Sequence, residues 1–117
     1  NNMTHNNATL NALATAFGNL YNGGTLEIRT AANAVLATIT LPATAFGSPS
    51  AGAISRNGTW SATATASGVA AKAVFISGTN QTEVTVGASG TELIINNVNV
   101  VSGGIVTVTA YTYTRTN

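Results

Sequence analysis

Between Gly24 and Gly47 the side chains alternate apolar and polar with a period of two. In the run Gly-Thr-Leu-Glu-Ile-Arg-Thr, Leu26 and Ile28 fall on one face and Thr25, Glu27 and Arg29 on the other. In Val-Leu-Ala-Thr-Ile-Thr-Leu-Pro, the residues Val35, Ala37, Ile39 and Leu41 share a face, while Thr38 and Thr40 look away. Alternation of this kind suits a half-buried strand and is wrong for a helix, whose apolar residues recur every three or four positions. With an Ala- and Asn-rich turn between them, the two runs form the seed of a β-sheet.

The rest of the chain after Gly24 follows the same rule. Residues 42–52 read as a loop, with Phe46 plugging one end of the core. The sequence Ala-Ile-Ser-Arg-Asn57-Gly58-Thr-Trp-Ser-Ala has the form of a hairpin, because Asn-Gly favours a type I′ turn. Such a turn pairs Arg56 with Thr59 and Ser55 with Trp60, and puts Trp60, Ala62, Ala64 and Ala66 on one face. Further strands are expected over 69–76, 82–86, 92–100 and 105–114, separated by Gly- and Asn-containing turns. In the last of these the apolar phase slips, since Val106, Val108 and Ala110 alternate one way and Tyr111 and Tyr113 the other. A bulge near Ala110 reconciles them. The alternative turns Tyr111 and Tyr113 outward, toward a partner.

Only one segment has a helical period. Leu10, Leu13, Ala14, Phe17, Leu20 and Tyr21 recur at three- and four-residue intervals, which predicts a helix over 9–22. Asn7 or Thr9 caps its start in this reading, and Asn22-Gly23-Gly24 ends it. Gly18 inside the stripe costs about 1 kcal/mol against Ala and fits a helix packed closely on a sheet. Residues 1–8 carry no periodic apolar residue and are expected to form a flexible arm. The expected fold is all-β with one N-terminal helix, a single domain over 9–117, arranged as an antiparallel β-sandwich of jelly-roll type. A chain of this mass should expose about 5,900 Å² when folded, enough burial for one core.

Composition enters through charge. Four Lys and Arg and three Asp and Glu among 117 residues make 6%, against about 25% in ordinary globular chains. Thr, Ser and Asn supply the polar surface instead, and such a neutral surface is suited to lying against other protein. Scattered Arg29, Arg56, Lys72 and Arg115 give no basic patch, so no nucleic-acid partner is expected. No apolar run is long enough for a spanning helix, so no membrane is expected either. The first residues lack the basic start and apolar core of an uncleaved signal peptide.

No residue pattern points to catalysis, and the chain is read as a non-enzyme with no cofactor and no metal. His5, the single histidine, lies in the arm, and the sequence contains no Asp to orient it as a base. Glu27, Glu83 and Glu92 sit on different strands. Asn96, Asn97 and Asn99 near Glu92 are too poor in carboxylate for calcium. The Gly-Gly pairs lack phosphate-loop spacing and a following Lys. Trp60, Tyr111 and Tyr113 are the residues able to stack on a sugar ring, although aromatics in small β domains more often fill the core. The absence of cysteine removes disulfides and thiolate metal sites.

Three stretches carry a family resemblance. They are Gly24-Thr-Leu-Glu-Ile; Leu36-Ala-Thr-Ile-Thr-Leu-Pro-Ala-Thr-Ala-Phe-Gly; and Gly87-Ala-Ser-Gly-Thr-Glu-Leu-Ile-Ile-Asn-Asn with Val100-Val-Ser-Gly-Gly-Ile-Val-Thr-Val-Thr-Ala-Tyr-Thr-Tyr-Thr. Over roughly residues 10 to 114 the chain resembles a family of small virion proteins encoded by tailed bacteriophages and prophages. It departs from that pattern at Ser77-Gly78-Thr79-Asn80, where relatives commonly carry acidic turns. The resemblance implies a structural protein of the virion, a decoration or cement protein on the head that binds the major capsid protein. Self-association as a dimer or trimer is expected, through the outer Thr-rich strand faces or through Tyr111 and Tyr113. A tail or head–tail connector component is the alternative within that class, and a carbohydrate- or receptor-binding module the alternative outside it. The candidate contact residues are Asn2, Met3 and His5 in the arm, Glu27 and Arg29 on their outward phase, and Trp60, Tyr111 and Tyr113.

Overall fold

The computed structural model describes residues 6–89, 91 and 93–114 of the chain. Its accessible surface of 6052 Å² is close to that expected for a compact chain of this mass. One helix, α1 (Asn7–Tyr21), precedes ten strands. They are β1 (Thr25–Arg29), β2 (Val35–Thr40), β3 (Ala53–Ser55), β4 (Ser61–Thr63), β5 (Gly68–Val69), β6 (Lys72–Ser77), β7 (Asn80–Gly87), β8 (Leu93–Ile95), β9 (Asn99–Val100) and β10 (Ile105–Thr114). The fold is all-β with a single N-terminal helix.

The sheet arrangement differs from a two-layer antiparallel sandwich. Strands run β2-β1-β6-β7-β8-β10-β3 in one continuous sheet, with β4 also on β10, and β5 and β9 form a separate pair. The sheet is mixed, because β7 and β8 are parallel. It curls into a half-barrel, and Thr65 N–H donates to Leu36 O across the seam where the chain beyond β4 returns to β2. A curled sheet encloses its own core, so no second layer is needed.

The seed pair forms as expected. Leu26 and Ile28 of β1 pair with Ile39 and Ala37 of β2, and all four are buried. The register shifts between Ile28 and Arg29, which leaves Leu36 as an extra residue. Leu36 is thereby buried and Val35 turned to solvent, against the simple alternation.

Asn57-Gly58 does not turn a hairpin. Ser55 pairs with Thr112 and Ser61 with Thr107, so six steps along residues 55–61 run beside five along β10. β3 and β4 are two halves of one interrupted strand, with a bulge at residues 57–59. Arg56 N–H donates to Tyr111 O at 3.0 Å, and Trp60 O accepts from Val108 N–H at 2.9 Å, on either side of it. Gly58 has φ +75, whereas Asn57 has no positive φ, and a type I′ turn needs both. The reason is burial. A hairpin pairing Ser55 with Trp60 would put Ile54 and Trp60 on opposite faces, whereas a strand that continues past Gly58 points both inward, six residues apart, 2% and 0% exposed. Burying even the Ile side chain is worth about 2 kcal/mol, more than a local turn preference supplies.

The bulge expected in the last strand is present. The register of β10 on β8 shifts between Val108 and Ala110, and Val106, Val108 and Tyr111 are all buried. The expected strand over 69–76 is divided into β5 and β6, and the β6–β7 hairpin closes at Ser77↔Asn80 with positive φ at Gly78.

The helix begins two residues before its expected start. Asn6 is its cap, and its side chain accepts from Thr9 N–H at 2.9 Å, so neither Asn7 nor Thr9 has that role. Asn7 and Ala8 belong to the helix and not to an arm. Ala14, Phe17 and Tyr21 are buried, with Phe17 packed on Phe75 of the inner sheet face. Gly18 makes this approach feasible, since a Cβ there would lie 3.2 Å from both Ile54 Cδ1 and Phe46 Cδ2. Gly24 does the same at the helix-to-strand turn, where a Cβ would be 2.6 Å from Ile76 O.

Candidate functional site

The aromatic residues form the core rather than a binding platform. Trp60 is 0% exposed and meets Phe46 edge-on at 5.3 Å and Phe75 at 5.9 Å. Tyr111 is 4% exposed, 5.1 Å from Phe75. Tyr113 lies flat on Phe17 with ring centroids 3.9 Å apart. Phe46 plugs the core as the sequence implies, 7% exposed. Trp60 and Tyr111 are therefore not available as contacts for a partner or a sugar, and Tyr113 has given one ring face to the helix. The register shift in β10 brings Tyr111 and Tyr113 to the inner face, and Trp60 reaches it by ordinary alternation with Ile54 and Ala64.

Asn2, Met3 and His5 lie outside the described residues, as does Glu92. The Asn cluster near Glu92 is used internally. Asn96 Nδ2 donates to Ile105 O at 3.0 Å while its Oδ1 accepts from Thr107 N–H at 3.0 Å, which extends the β8–β10 ladder by a side chain. Asn97 Oδ1 accepts from Asn99 N–H.

Glu27 and Arg29 do lie on the outer face of the sheet, and the register places two further charges beside them. Arg29 pairs with Lys72, and Lys72 with Thr85. Glu27 pairs with Val74, and Val74 with Glu83. The outer face of β2-β1-β6-β7 is thus a grid of three rows. Thr40, Thr25, Ile76 and Gln81 form a neutral row, Thr38, Glu27, Val74 and Glu83 an acidic one, and Val35, Arg29, Lys72 and Thr85 a basic one.

Arg29 binds the Glu27 carboxylate through two nitrogens, with Nε at 3.0 Å, and Lys72 Nζ is 3.8 Å from Glu83 Oε1. Val74, at the centre of the grid, is 4% exposed beneath these side chains. Among the described residues the only charge away from this face is Arg56, whose guanidinium donates to the carbonyls of Gly58 and Thr109 and so braces the bulge. The outward phase of Glu27 and Arg29 is legible in the alternation of residues 25–29. That Lys72 and Glu83 join them is not legible there, because it follows from the order β1-β6-β7.

Other surface features are neutral. A groove of about 280 Å³ lies between α1 and residues 44–49, with Phe46 and Ile54 in its lining and Thr15, Asn19, Asn22 and Thr44 as polar groups. The Asn22 amide is already engaged there, its Oδ1 accepting from Ala45 N–H. Val69, Val101 and Ile105 are more than half exposed at the β5–β9 end. No group of three or more His, Cys, Asp and Glu is placed to hold a metal ion among the described residues. No described helix is long and apolar enough to cross a membrane.

No protein-family model, curated protein or solved structure matches the chain.

Proposed function

We propose that this chain is a non-enzymatic structural protein of a bacteriophage virion, a decoration or cement protein seated on the outside of the head against the major capsid protein. The observation that carries this reading is the character of the surface. Hydroxyl and amide side chains cover a core in which the large aromatic rings are packed together, and the described charges apart from Arg56 are gathered on one face. Neutral polar surface loses less hydration than charged surface when another protein covers it, and a molecule with a rigid core keeps its shape under load. Modest contacts of this kind become strong when repeated over a shell, because attachment through several linked sites multiplies weak affinities. The resemblance of residues 24–47 and 87–114 to small virion proteins agrees with this placement.

The test is microscopy of particles carrying a labelled copy of this chain. Label spread evenly over the head supports decoration. Label confined to one vertex or along the tail overturns it in favour of a connector or tail component. Binding of the purified protein to a glycan array but not to heads would overturn the structural reading altogether.

A further inference from the structure

We propose that the charged outer face of β1, β6 and β7 is a self-complementary interface through which two copies of this chain pair about a twofold axis. An isologous interface requires a patch that matches itself after a twofold rotation. The grid has that property. An axis lying in the plane of the face, across the strands and between the acidic and basic rows, places Arg29 of one copy over Glu27 of the second and Glu27 over Arg29. It also brings Lys72 over Val74 of the second copy, with Glu83 in the adjacent column. The four side chains sum to zero charge, so no net repulsion opposes the approach of two such faces, and the cost of desolvating them is offset by the new opposite-charge contacts. The pairs already formed within each chain, Arg29 with Glu27 and Lys72 with Glu83, become halves of alternating networks. Glu83 has the most freedom to reach across, its side chain being 61% exposed. Apart from Arg56, which is engaged with the carbonyls of Gly58 and Thr109, the described surface elsewhere offers neutral groups, which supply no comparable register or orientation.

The strength is bounded by area. About this axis the two charged rows face each other, and two rows about 6.8 Å apart on four strands about 4.8 Å apart cover roughly 260 Å² per copy. That total of about 500 Å² lies below the usual range for stable complexes and describes a weak dimer, populated at high local concentration. The sheet curves across its strands, so contact is densest at β1 and β6. Self-pairing by this face does not rest on the capsid reading, since it is measured on the isolated protein.

The experiment uses energy transfer between copies labelled with donor or acceptor dye at the N-terminal amine, with sedimentation velocity as a check. Wild-type chains should self-associate, with Kd rising about tenfold between about 50 mM and 500 mM salt as the rim charges are screened. The double exchange Glu27→Arg with Arg29→Glu keeps the pair within each chain and keeps the face self-complementary. That variant should therefore pair with itself as well as wild type does. Mixed with wild type it sets Arg over Arg and Glu over Glu, and transfer between the two kinds of chain should drop at least tenfold. Equal transfer in all three combinations overturns the proposal, as does a monomer at both salt concentrations. Should the double variant melt well below wild type, Glu83→Lys replaces it; this must weaken wild-type pairing several-fold, and unchanged pairing overturns the proposal.

Discussion

Trp60 is the position where the core is most sensitive, and two substitutions there separate its volume from its polarity. The indole is 0% exposed, and its Nε1–H is buried with no hydrogen-bond partner. Truncation to Ala removes the ring that fills the space between Phe46, Phe75 and Tyr111, at a cost of about 3–5 kcal/mol. Against a total stability of about 5–15 kcal/mol that is a large fraction. At about 4–8 °C per kcal/mol it lowers Tm by roughly 20 °C. Substitution by Phe is a different case. It leaves roughly 40 Å³ unfilled, worth about 1 kcal/mol at the usual cost per unit cavity volume, and loses a similar amount of transfer energy. In return it removes an orphan donor whose desolvation costs about 1–3 kcal/mol. The two nearly cancel, so Trp60→Phe should lie within about 1 kcal/mol of wild type. Urea and thermal unfolding followed by far-ultraviolet circular dichroism measure both, since the substitutions remove the only tryptophan. A Phe variant as damaged as the Ala variant would refute the orphan N–H. An Ala variant melting within a few degrees of wild type would refute the packing role.

Asn6→Ala removes the acceptor for Thr9 N–H and should cost about 1 kcal/mol, seen as a lower Tm with the sheet signal intact; no change would mean that water caps the helix equally well. Gly18→Val should cost about 1–3 kcal/mol in urea unfolding, because a branched side chain is driven into Ile54 and Phe46. A neutral or stabilising result would mean that the helix can slide away from β3 freely.

The secondary structure class and the inward and outward faces of most segments are legible in the sequence. Period two in residues 25–29 and 35–41, and the stripe from Leu10 to Tyr21, are local properties, since side-chain direction repeats with backbone geometry in each element. The bulge near Ala110 was legible for the same reason, as a slip of phase within one strand. Local rules failed at Asn57-Gly58, where turn preference was outweighed by the burial of Ile54 and Trp60 together. They also misplaced Trp60 and Tyr111 as contact residues, since an aromatic side chain looks the same in sequence whether it faces a core or a partner.

Strand order is a long-range property of the fold. Nothing local states that β6 lies between β1 and β7, or that β10 is shared among β3, β4 and β8. That order comes from closing one curled sheet over its own apolar face. It gathers Glu27, Arg29, Lys72 and Glu83, up to 56 positions apart in the chain, into one grid. Charges scattered in the sequence become an ordered surface because pairing register, a long-range property, sets which outward side chains are neighbours.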